Sequence, residues 1–130
     1  MKSSNGMNRM KESEVLKVVK DKLEVMKLNG DVLWYRRLHN GKFYTKQGTI
    51  ITMGAKPLWE GKDLDLIIIV NCKNGKIAQL HIDTKRTGVK KLSVEQQIFA
   101  DSTAGYPMTL CLALDDPKQL GKAIREAQNL

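Results

Sequence analysis

Asp83, Thr84 and Lys85 set a carboxylate and an amine two positions apart. On a strand that spacing puts both on one face, roughly 7 Å apart along the chain. Asp65 opens the apolar run before it, Leu66 to Val70, and Asn71 to Gly75 is a turn sequence with Asn-Gly as its strong signal. If that turn closes a hairpin, Asp65 falls opposite or diagonal to Asp83. Even pairing parity brings the two carboxylates onto one face within about 5–8 Å, odd parity separates them, and the sequence leaves the parity open. Two such acids repel each other unless a cation joins them, and their oxygens suit Mg²⁺ or Mn²⁺. An ion held there binds a phosphate oxygen, acidifies a bound water and stabilises charge in an in-line displacement. Lys85 would orient or activate that water, or offset transition-state charge. Taken alone, an Asp-x-Lys tripeptide reads more readily as a solvated polar face. The conjunction of acid, buried strand, tight turn, acid-x-Lys, basic loop and capped helix is what favours chemistry.

The elements that must position these groups follow from periodicity. From about Glu12 to Leu28, Leu16, Val19, Leu23 and Met26 recur at helical spacing, and Asn29-Gly30 ends the helix. Lys17, Lys20, Asp21 and Lys22 fall on its polar side. Val32 to Tyr35 reads as a strand, and Arg36 to Lys42 as a basic turn. Phe43 to Met53 reads as a short ribbon around Gln47-Gly48, and Gly54 to Lys62 as a loop. The continuous β-branched run Leu64 to Val70 needs cover on both faces. Lys76 to Lys85 alternates, with Ala78, Leu80, Ile82 and Thr84 on one side and Gln79, His81, Asp83 and Lys85 on the other. Arg86 to Lys91 is a basic loop. Ser93 and Gln96 form a capping box that opens a helix to about Thr103. Met108 to Leu114 is a further strand. Asp115-Asp116-Pro117 starts a last helix to about Gln128. The sum is a mixed-sheet α/β domain with helices covering the sheet. Residues 1–11 read as a flexible tail and 12–130 as one domain.

The chain is 130 residues long, enough for one core. Its net charge is +8, from 22 Lys and Arg against 14 Asp and Glu, which biases it toward polyanions. Aromatic residues make up 5%, too few for extended base-stacking platforms. No apolar run approaches a membrane span and no secretory signal is visible, so a reduced, cytoplasmic protein without a membrane partner is expected. Cys72 and Cys111 form no metal-ligand spacing.

Gly61-Lys62-Asp63-Leu64-Asp65-Leu66-Ile67, Gln79-Leu80-His81-Ile82-Asp83-Thr84-Lys85 and Lys91-Leu92-Ser93-Val94-Glu95-Gln96 together resemble the VRR-NUC nucleases of the PD-(D/E)XK superfamily. Arg37-Leu38-His39-Asn40-Gly41 resembles the Arg-Asn-Gly stretch that these proteins carry upstream, and the likeness spans about Ser13 to Ile124. Two positions depart from the pattern: Leu64 stands in place of the name-giving proline, and Asp83 where the family usually has Glu. The resemblance implies a restriction-endonuclease-like αβββαβ core and a Mg²⁺- or Mn²⁺-dependent endonuclease acting on DNA. It further implies selectivity for branched or four-way-junction substrates, as in stand-alone phage and bacterial members. It implies Asp65 and Asp83 as metal ligands, the Thr84 backbone carbonyl as a further ligand, Lys85 as catalytic lysine and Gln96 as a supporting glutamine. Glu14 matches the acid that many members place near the metal. Glu12 shares a helical face with Leu16 and Val19 and competes for that role. Both also read as solvated first-turn acids near the helix dipole.

Arg36, Arg37, His39, Asn40, Arg86, Lys90 and Lys91 are the candidates for contacts to a nucleic-acid backbone, against the plainer reading of solvated charge. His81 reads as a partly buried structural histidine. Trp34 and Trp59 read as core or rim. A homodimer would present two sites to a branched duplex. The rival reading is a non-catalytic basic nucleic-acid-binding module. A weaker third is a scaffold whose basic surface holds an acidic protein.

Overall fold

A computed structural model describes residues 9–38 and 64–130, together with the backbone of 42–44 and 50–52. The apolar stripe of the first segment winds into α1 (Glu12–Asn29), which buries Val15, Val19 and Leu23. Gly30, at φ 85°, stops it, because the left-handed conformation costs glycine no Cβ clash. Strands β1 (Val32–Arg37), β2 (Lys42–Tyr44), β3 (Ile50–Thr52), β4 (Leu66–Asn71) and β5 (Ile77–Thr84) follow, then α2 (Val94–Thr103) and β6 (Thr109–Leu114). A 3₁₀ turn, Pro117–Gln119, capped by the Asp116 carboxylate, leads into α3 (Leu120–Gln128).

Four strands form one mixed sheet in the order β1-β4-β5-β6, antiparallel except for the parallel β5–β6 pair. β2 and β3 pair antiparallel as the expected ribbon, apart from this sheet. The core lies where α1 and α3 pack one sheet face. Val15, Val19, Leu23, Leu120 and Ile124 meet Leu66, Ile68, Leu80 and Ile82 in one buried cluster. Each such side chain contributes about 1.5–3 kcal/mol by leaving water. α2 covers the opposite face: Phe99 packs on His81, and Gln96 is buried beside Lys85. With both faces covered, β5 is buried at five consecutive positions from Leu80 to Thr84, as its apolar and polar sides together require.

Three sequence expectations change. Arg36 and Arg37 extend β1 rather than forming a turn, because they pair with Ile67 and Leu66 of β4. Met10, expected in the tail, belongs to the folded body. Its backbone N–H donates to Thr87 Oγ1 at 2.8 Å, and its carbonyl accepts from Thr87 N at 3.0 Å. The last helix starts as a 3₁₀ turn rather than directly from Asp116. The expected loop over 54–62, with Trp59, lies outside the described residues. No helix among the described residues is long and apolar enough to cross a membrane.

Candidate metal centre

The register of β4 on β5 settles the parity question. Leu66 pairs with Ile82, so one step further places Asp65 directly across from Asp83. The Asp65 N–H donates to Asp83 Oδ1 at 3.1 Å, which ties the start of β4 to the end of β5. Asp83 is almost wholly buried and Asp65 partly so. Carboxylate oxygens of Glu12, Asp65 and Asp83 all lie within 4.8 Å of one another. Three elements therefore converge at one end of the sheet.

The helix acid beside the pair is Glu12, not the Glu14 that the resemblance suggests. Glu14 turns back to its own helix start, where its carboxylate accepts from the Lys11 backbone N–H at 2.9 Å. The reason is angular. Glu12 lies three and seven residues before the buried Val15 and Val19, so it shares their face and overhangs the end of the sheet. Two residues of helix rotate Glu14 by about 200° from Glu12, away from that face and toward solvent.

Burial, and then the neighbouring Asp83 carboxylate, push the Asp65 carboxyl above its ordinary range. The Thr84 hydroxyl, which donates to Asp65 Oδ2 at 3.0 Å, acts in the opposite direction. Thr84 thus contacts Asp65 through its hydroxyl, where the resemblance assigns its carbonyl a role. On the other side of Asp83, Lys85 Nζ lies 2.8 Å from Oδ2 and donates to Gln96 Oε1 at 2.9 Å. The same Gln96 oxygen accepts from Ser93 N at 3.0 Å, while Ser93 Oγ accepts from Gln96 N at 3.2 Å. The expected capping box is therefore also the device that holds the Lys85 ammonium.

The donor set could hold a hard divalent cation: three carboxylates gather beside one lysine. Beside it opens a cleft of about 550 Å³ lined by α1, Arg37, Asp65 and Thr84. Of the backbone-contact candidates, Arg37 lines this cleft, while Arg36, one residue earlier on the strand, points to the other sheet face. Lys90 sits 3.6 Å from the buried Asp115 instead. Arg86 and Lys91 are exposed. His39 and Asn40 lie outside the described residues. His81 is buried, with Nε2 3.3 Å from Gln79 Oε1 and Nδ1 without a partner, and burial pushes its pKa down. Lys17 and Lys20 also line the cleft, where the sequence presents them only as polar helix surface. The signal that could find them is their four-residue spacing from Ser13 and Leu16 on the same helix. Comparison with family models, with curated proteins and with solved structures finds no match.

Proposed function

We propose that this protein is a Mg²⁺- or Mn²⁺-dependent endonuclease that hydrolyses DNA phosphodiester bonds, with a preference for branched duplexes. The observation that carries this reading is the convergence of Glu12, Asp65 and Asp83 within 4.8 Å, with Lys85 Nζ 2.8 Å from Asp83. The element order supports it too: with the ribbon set aside, the chain runs α-β-β-β-α-β, as in the restriction-endonuclease-like core. Glu12, Asp65 and Asp83 would hold the cation. When bound, the cation supplies positive charge that polarises a phosphate oxygen and acidifies water. Thr84 orients the Asp65 carboxylate. Gln96 aims Lys85, whose ammonium offsets charge building on the phosphate oxygens or orients the attacking water.

The test is cleavage of plasmid and four-way-junction DNA in Mn²⁺. The wild type should cut. Asp83→Ala and the isosteric Asp83→Asn, both checked for folding by circular dichroism, should lose at least about 100-fold, because even residues that only support metal ligands cost 10–100-fold. Equal cutting by all three proteins would sink the assigned centre. A homodimer that offers two sites to a junction belongs to the same proposal and is read by sedimentation.

A non-catalytic nucleic-acid-binding module is the second reading. The Lys85–Asp83 pair favours it, since a buried ion pair closed by Gln96 is also a self-sufficient structural contact. Calorimetric titration with Mn²⁺ separates the two, because a pure binder has no specific site to fill.

A further inference from the structure

We propose that the cleft beside the three acids is a track for the phosphodiester backbone of a nucleic-acid strand, gripped by Lys17, Lys20 and Arg37; this deepens the nuclease reading and rests on it for the identity of the reacting end. Glu12, Asp65 and Thr84 close one end of the cleft. Ser13, Leu16, Lys17, Lys20 and Asp21 form its helical wall, at spacings of three and four that share one face of α1. Arg37 faces them from β1, whose end is tied to Asp65 by a 2.6 Å hydrogen bond from Leu38 N to the Asp65 carbonyl.

Glu12 and Asp65 belong to the acidic cluster, which leaves Lys17, Lys20 and Arg37, against Asp21, to meet a polyanion. Among the described residues, neither Lys20 nor Arg37 has a carboxylate within ion-pairing distance. Lys17 pairs with Asp21 at 3.7 Å, but both side chains are largely exposed, so phosphate can displace that pairing at little cost. Lys20 lies eight residues beyond Glu12, about 12 Å along the helix. Lys17 and Lys20 stand about 4.5 Å apart along the helix, with Arg37 across from them, so the three cations can flank one strand from two walls. The strand would then follow α1; in the Arg86 to Lys91 loop, Lys90 already faces Asp115.

The experiment is fluorescence anisotropy of a labelled duplex in EDTA, where no cleavage intervenes, across a salt series. Lys20→Ala/Arg37→Ala should weaken binding about tenfold and lower the slope of log Kd against log salt by about two, one for each phosphate no longer neutralised. Lys73→Ala/Lys76→Ala, the same change of charge at the far hairpin, should alter neither. Lys20→Arg/Arg37→Lys should restore binding. If the double alanine variant fails to fold, Lys20→Gln and Arg37→Gln singly should each lower the slope by about one. Unchanged binding in the cleft variants, equal losses in the hairpin control, or no binding by the wild type would each overturn the track. Binding that depends on Lys20 and Arg37 without any cleavage in Mn²⁺ would keep the track and sink the nuclease reading.

Discussion

At the scale of single residues, the division of labour between Glu12 and Glu14 is the sharpest result. Two acids in one helical turn do different work because two residues of helix turn one of them away from the sheet. Glu12→Gln should weaken Mn²⁺ binding by about tenfold or more in calorimetry and leave thermal stability nearly unchanged. Glu14→Gln should leave Mn²⁺ binding intact, since an amide oxygen can still accept from Lys11 N. Equal falls in affinity in both variants would remove Glu12 from its assigned role. The sequence leaves both acids open. Its hint, the face shared by Glu12 with Leu16 and Val19, gains meaning only with the sheet beneath it.

At the scale of elements, α2 works as a positioning strut. Its capping pair serves two ends at once, because the Gln96 oxygen accepts from both Ser93 N and Lys85 Nζ. Gln96→Ala should cost about 1–2 kcal/mol in denaturant unfolding, through the missing cap and the freed ammonium. It should also lower kcat more than it raises KM, because Lys85 loses the partner that aims it. A cleavage rate unchanged beside that drop in stability would make the Gln96–Lys85 bond structural only. The capping box is legible from Ser93 and Gln96 alone. Its partnership with Lys85 is not, because the two lie eleven residues apart and meet only after α2 folds back over β5.

At the scale of the whole molecule, the half-buried Asp65 and the buried His81 pull stability in opposite directions with pH. Asp65 has a folded pKa raised by burial and by Asp83, so the folded state holds its proton more tightly than the unfolded chain does. That contribution is full below the ordinary value of 3.8 and is lost as pH rises through the raised folded value. His81 has a folded pKa lowered by burial, so its contribution is present above 6.5 and is lost as pH falls through the lowered value. Metal-free Asp65→Asn should therefore melt above the wild type at pH 7. Mn²⁺ at about 100 times its Kd should add about 2.7 kcal/mol to the wild type and much less to the variant. A metal-free variant that melts below the wild type would show that the Asp65 charge is already compensated within the fold.

The alternating and continuous apolar patterns, the Asn-Gly turn, the helix caps and the net charge are decided locally. Each depends on neighbours within a few residues, so most strands and helices, the hairpin and the α/β class were legible from local pattern, though not the extension of β1 through Arg37. Three-dimensional packing alone puts Asp65 across from Asp83, brings Glu12 rather than Glu14 beside them, and makes Lys17, Lys20 and Arg37 wall one cleft. Those facts depend on strand register and on how a helix sits over the end of a sheet, and both are set by the packing of distant apolar side chains.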